Sequence, residues 1–90
     1  MEKVIVTIVG KDTVGIIAKV CLFFSENNIN ILNISQTTMQ GYLNMMMITD
    51  VTKYKGSFSD LTSGLEAVEK ETGCIIKAQR EEIFDMMHKV

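Results

Sequence analysis

Between residues 10 and 20 the chain reads GKDTVGIIAKV, a polar loop that breaks into an almost wholly apolar run. Such a loop, running into a helix, can hold an anion. The first backbone N–H groups of a helix have no internal partners, and the helix dipole adds about half a positive charge there. A carboxylate can be held at such a point without any arginine. Gly15 falls in the first helical turn, where glycine costs about 1 kcal/mol relative to alanine. Without a Cβ, that turn leaves room for a ligand against the backbone. A tight helix–sheet contact would use the same glycine, and the residues alone leave both explanations open. Asp12 or Thr13 is placed to cap the helix.

Other chemistries fare worse. Catalysis needs a nucleophile, a base and an orienting group, and the single histidine, His88, stands in the tail between Met87 and Lys89 with no evident acid partner. No catalytic residue is assigned, and the chain reads as a non-enzyme. Met45, Met46 and Met47 raise the question of a soft metal. On a strand, however, consecutive side chains point to opposite faces and cannot converge on one ion. Cys21 and Cys74 stand far apart with no CxxC, which fits reduced, buried thiols in a cytoplasmic protein rather than a disulfide or zinc site. No metal site and no cofactor are expected.

The elements that must position the loop follow in order. EKVIVTIV (2–9) is β-branched and apolar on both faces, as in a central strand. A helix runs from Val14 to about Glu26 and stops at Asn27-Asn28. INILNISQTTMQ (29–40) reads as a second strand, Gly41 as a tight turn, and YLNMMMITDV (42–51) as a third strand. Ser57 with Asp60 opens a second helix in a capping-box arrangement, and Phe58, Leu61, Leu65 and Val68 form its apolar face. Thr72-Gly73 ends it, and CIIKAQRE (74–81) is a fourth strand. Right-handed crossovers then give an antiparallel sheet of order 4-1-3-2 with both helices on one face. The fold class is therefore α+β, a ferredoxin-like βαββαβ sandwich occupying 1–82. Residues 83–90, IFDMMHKV, form a separate tail in which Ile83, Met87 and Val90 share a helical stripe beside Phe84 and Met86. This short C-terminal helix would cover the open face of the sheet, in its own subunit or in a partner.

Ninety residues suffice for one domain with little stability to spare. Hydrophobic residues make up 47% of the chain and mean hydropathy is +0.19, more apolar surface than a small sphere hides easily. From Val14 to Phe24 only Lys19 is charged, and a helix apolar all round is buried all round. Both features point to self-association. The net charge of −2, without basic runs, argues against nucleic acid and against a membrane-surface helix. An RNA-binding sandwich would also display aromatic residues on its first and third strands, where only Tyr42 is found. No stretch approaches the roughly 20 apolar residues of a membrane span, and the N-terminus carries no signal-peptide pattern.

GKDTVGIIAKV followed by NNINILNIS resembles the ACT domain, a small regulatory module. Gly10, Asp12 and Gly15 match its glycine–aspartate loop, and Asn30-Ile31 match the start of its second strand. Val14 stands where the family usually has proline, which loses a preset backbone angle. ISQTTMQGYLNMMMITD and QREEIFDMMHKV extend the similarity over nearly the whole chain, to standalone single-ACT-domain proteins of bacteria and archaea of uncharacterised role. The resemblance implies a homodimer or higher homo-oligomer that binds an amino acid or related metabolite between two units. The loop, through Gly10, Asp12, Thr13 and Gly15, would hold the carboxylate, and Asn30 of the neighbour would read a polar group. Asp12 would either attract an α-ammonium or cap the helix. Any output would act in trans, on a protein partner. The alternative is a ligand-free interaction module that docks through its apolar helix and tail. The topology is also that of acylphosphatases and metal chaperones, but GKDTVG lacks the arginine of the first and the CxxC of the second.

Overall fold

The structure, a computed structural model, describes residues 2–11 and 13–82, with Thr13 described in its backbone only. Asp12 and the tail 83–90, with its expected helix and His88, lie outside the described residues. The elements run β1 (Lys3–Gly10), α1 (Thr13–Glu26), β2 (Asn30–Met39), β3 (Tyr42–Asp50), α2 (Phe58–Thr72) and β4 (Ile75–Arg80). The four strands form one antiparallel sheet of order β2-β3-β1-β4, the arrangement that the element order requires.

One face of the sheet carries the core. Val4, Val6 and Ile8 of β1 and Leu43, Met45 and Met47 of β3 alternate toward the helices. Ile16, Val20 and Phe24 of α1 meet them, as do Leu61, Leu65 and Val68 of α2, at the three- and four-residue spacing of one helix face. Met46 turns the other way and is 39% exposed, so the three methionines divide between the two faces. Thr49 is the one polar member of the described core, and its hydroxyl donates to the Val4 carbonyl at 2.8 Å. A buried hydroxyl so satisfied costs little.

The helix ends follow local chemistry. The Ser57 hydroxyl accepts from the Asp60 N–H at 3.1 Å, and the Asp60 carboxylate accepts from the Ser57 N–H at 2.9 Å. Gly73, at φ 71°, closes α2, and its N–H donates to the Glu69 carbonyl. Asn28, at φ 57°, lets the chain leave α1, and the Ile29 N–H returns to the Phe24 carbonyl. Gln40 and Gly41 are both left-handed, the turn that matches the twist of a two-residue hairpin.

β2 forms where the sequence reading placed the second strand, with a bulge between Ile31 and Asn33, and Leu32 there is 46% exposed. One reading needs correction. Cys21 is exposed on α1, not buried like Cys74, because α1 buries a single face within this chain. Both thiols are free, and no helix among the described residues is long and apolar enough to cross a membrane.

Gly10 ends β1 where the helix and the sheet come closest. A Cβ there would lie 2.5 Å from Ile16 Cδ1 and 2.6 Å from Cys74 Cβ. Gly10→Ala therefore overpacks the β1–α1 junction, at a cost of about 1–3 kcal/mol. Thermal unfolding of the variant should show Tm lowered by roughly 4–8 °C per kcal/mol.

Candidate functional site

The loop and the helix start meet at one end of the sheet. Gly10 is buried, Lys11 is exposed, and the Lys11 ammonium lies 5.1 Å from the centroid of the Tyr42 ring, a cation–π contact. The first turn of α1 carries no acidic residue, so its positive end is not neutralised from within the described helix. Val14 is 80% exposed in this turn and Gly15 is half-buried. Packing against Ile16 and Cys74 accounts for Gly10, while Gly15 lies in the turn whose N–H groups are suited to an anion.

Asn30 lies elsewhere. It opens β2 and pairs with Asp50, which pairs in turn with Lys3, whereas Gly10 pairs with Leu43 at the far end of β1. Seven residues of strand at about 3.3 Å each separate the two ends by roughly 23 Å. One chain therefore does not bring Asn30 to its own loop. The neighbour it does have across the ladder is Asp50, whose carboxylate accepts from the Thr52 hydroxyl at 2.6 Å and from the Thr52 N–H at 2.9 Å. These bonds hold the Asp50 carboxyl below the usual carboxylate range.

Sequence reasoning did not single out Lys11 with Tyr42, or Asp50 beside Asn30. Each juxtaposition is made by strand register across the sheet, and only the exposed character of the residues is visible in sequence.

The two edges of the sheet also differ. β4 carries Lys77 and Arg80, and the Ile76 N–H donates to the Glu69 carboxylate of α2 at 2.6 Å. A carboxylate on a strand's outward N–H blocks further pairing. β2 has no such protection in its own sequence. Its ten residues, NILNISQTTM, carry no charge and no proline, and all but Ile31 are exposed.

Comparison with known proteins fits this architecture. The ACT domain family model matches residues 4–70. The chain belongs to the ACT domain family. Over their full lengths this ACT protein is 49% identical to a UPF0237 protein of Bifidobacterium longum and 40% identical to one of Methanococcus maripaludis. It is also similar to the solved structure of an ACT domain protein from Streptococcus pneumoniae, with a TM-score of 0.80 and 36% identity, covering 93% of this chain and 94% of the other. ACT domains are typically regulatory, ligand-binding modules that commonly dimerise.

Asp50 offers a direct titration test. Its folded pKa is depressed, so the stability it contributes is present above the unfolded pKa and is lost as pH falls through the lower folded value. Thr52→Val removes the hydroxyl bond and keeps the N–H. The Asp50 carboxyl should then titrate closer to the ordinary range, followed by carbon NMR of the side chain, and the acid-side fall in stability should begin at higher pH.

Proposed function

We propose that this ACT protein is a regulatory module that binds an amino acid or related metabolite between two copies and acts in trans on a protein partner. The observation that carries the reading is the placement of the loop and Asn30 at opposite ends of one sheet, beside an unprotected edge strand. Two β2 strands paired antiparallel about a two-fold axis would bring Asn30 of each copy toward the loop end of the other. Gly10, Asp12, Thr13 and Gly15 of one copy then hold the carboxylate, and Asn30 of its partner reads a polar group. Asp50, beside Asn30, supplies a negative charge suited to an α-ammonium. The role is regulatory and not catalytic, in keeping with the family. Free thiols at Cys21 and Cys74 fit a reducing, cytoplasmic setting.

A second reading draws on the outer side of α1, where Val14 is 80% and Leu22 54% exposed. That surface suits a ligand-free module for oligomerisation or protein docking.

Thermal unfolding against a panel of amino acids and near metabolites separates the two. A ligand at 100 times its Kd adds about 2.7 kcal/mol, which moves Tm of a domain this size by roughly 10–20 °C. The sensor reading expects one compound to produce such a shift and Asn30→Ala to abolish it. A flat panel with the oligomer intact would favour the docking module.

The edge itself is tested by Ile34→Lys, which sets like charges near each other along the paired β2 strands. Sedimentation should show the wild-type dimer replaced by monomer, with helix and strand content unchanged by circular dichroism. A variant that sediments as the wild type would rule out assembly through β2.

A further inference from the structure

The face of the sheet away from the helices is not uniform. β1 sends Val4, Val6 and Ile8 to the core, β3 sends Leu43, Met45 and Met47, and β4 sends Ile76. Alternation turns the residues between them outward. Register then gathers Val9 beside Ile75, Thr7 beside Met46, and Tyr42 beside Met39 at the loop end of this face. Val9 and Met46 are each 39% exposed, and Tyr42, Ile75 and Met39 reach 45%, 56% and 69%. A solvated sheet face ordinarily carries polar side chains at such positions. An apolar patch on a face that neither helix covers marks an interaction surface, and methionine and tyrosine are enriched at such contacts.

The charges around the patch select the partner. Lys11, with its ammonium 5.1 Å from the Tyr42 ring centroid, and Lys77, opposite Thr7 in the ladder, flank it on two sides. Among the described residues no carboxylate shares this half of the face. The other half differs, because the Lys3 ammonium lies 3.8 Å from the Glu81 carboxylate and Asp50 stands opposite Lys3 in the ladder. In a chain of net charge −2 the loop-end half is therefore a local positive region. A partner with flanking carboxylates is steered to it and held in one register, whereas a lysine-flanked partner is repelled. The patch is four strands wide, roughly 14 Å at about 4.8 Å per step. A helix rising about 1.5 Å per residue crosses it in about ten residues. Pairing through β2 extends the sheet in its own plane and leaves this face open.

We propose that the loop-end half of the open sheet face docks an acidic amphipathic helix of a protein partner. Its apolar stripe lies on Val9, Met46 and Ile75, and its carboxylates face Lys11 and Lys77. The proposal rests on the protein-partner part of the regulatory reading above, and on no ligand at the loop. A surface this small supports a transient contact, weakened by salt. An anionic membrane fits less well, because two lysines on a chain of negative net charge supply little attraction to a lipid surface.

Two synthetic helices of about 14 residues with the same leucine stripe, one flanked by glutamates and one by lysines, test it on the isotope-labelled full-length chain. The glutamate peptide should bind at least about tenfold more tightly, with amide shifts in the NMR spectrum at Val9, Met46, Ile75 and Lys77. Lys11→Glu combined with Lys77→Glu should reverse the order of the two peptides and leave Tm close to wild type. Equal binding of both peptides, shifts confined to other surfaces, or no reversal would overturn the proposal. Silence toward both peptides, as when residues 83–90 or a second copy already fill the face, would overturn it too. So would co-sedimentation with phosphatidylglycerol vesicles in place of peptide binding. Lys77→Glu alone separates this proposal from the metabolite reading. It should weaken the glutamate peptide and leave any metabolite-induced Tm shift as in the wild type, so a flat metabolite panel sinks that reading without touching the docking face.

Discussion

The pairing of β1 with β3, and of β3 with β2, is the constraint on which the rest of the structure depends. In antiparallel ladders, fixing these two registers fixes the place of every residue on three strands. Here it sets Gly10 beside Leu43 at one end and Lys3 beside Asp50 and Asn30 at the other. The loop–helix junction and Asn30 are thereby held a strand's length apart by backbone hydrogen bonds, which no side-chain motion can shorten. The same register alternates β1 and β3 between a face closed by two helices and a face with an apolar centre.

Within that frame the local details have separate causes. Gly10 is glycine because Ile16 and Cys74 occupy the space a Cβ would need. Gly64 of α2 is small for a similar reason, since the Phe23 ring of α1 packs against it. These close contacts set how tightly α1 lies on the sheet and on α2, and so fix the direction in which the α1 N-terminus points. Gly15 lies in the first turn of α1 and is half-buried.

Much of the fold was legible in sequence because its signals are local. The β-branched run of β1, the Ser57–Asp60 box and the Leu61, Leu65, Val68 spacing each name an element without help from the rest of the chain. Asn28, Gly41 and Gly73 mark stops that take a left-handed backbone. What sequence could not give was set by distant partners. The bulge after Ile31 arises in pairing with β3, and the exposure of Cys21 depends on which side of α1 the sheet takes. For the candidate site, the chemistry of the loop was visible, and so was the presence of Asn30. Their separation, Lys11 over Tyr42, and Asp50 at the side of Asn30 all come from register, which is not written in any one segment.

The Glu69 carboxylate on the Ile76 N–H has a consequence for numbers of molecules. A sheet with two open edges can add strands at both and grow without limit, as fibres do. Glu69 occupies one outward donor of β4 and so makes the two edges unequal. Association through β2, as proposed above, is two-fold and so terminates at a pair. A glutamate on α2, near the loop end of the sheet, thereby makes β4 a poorer template for strand addition than β2.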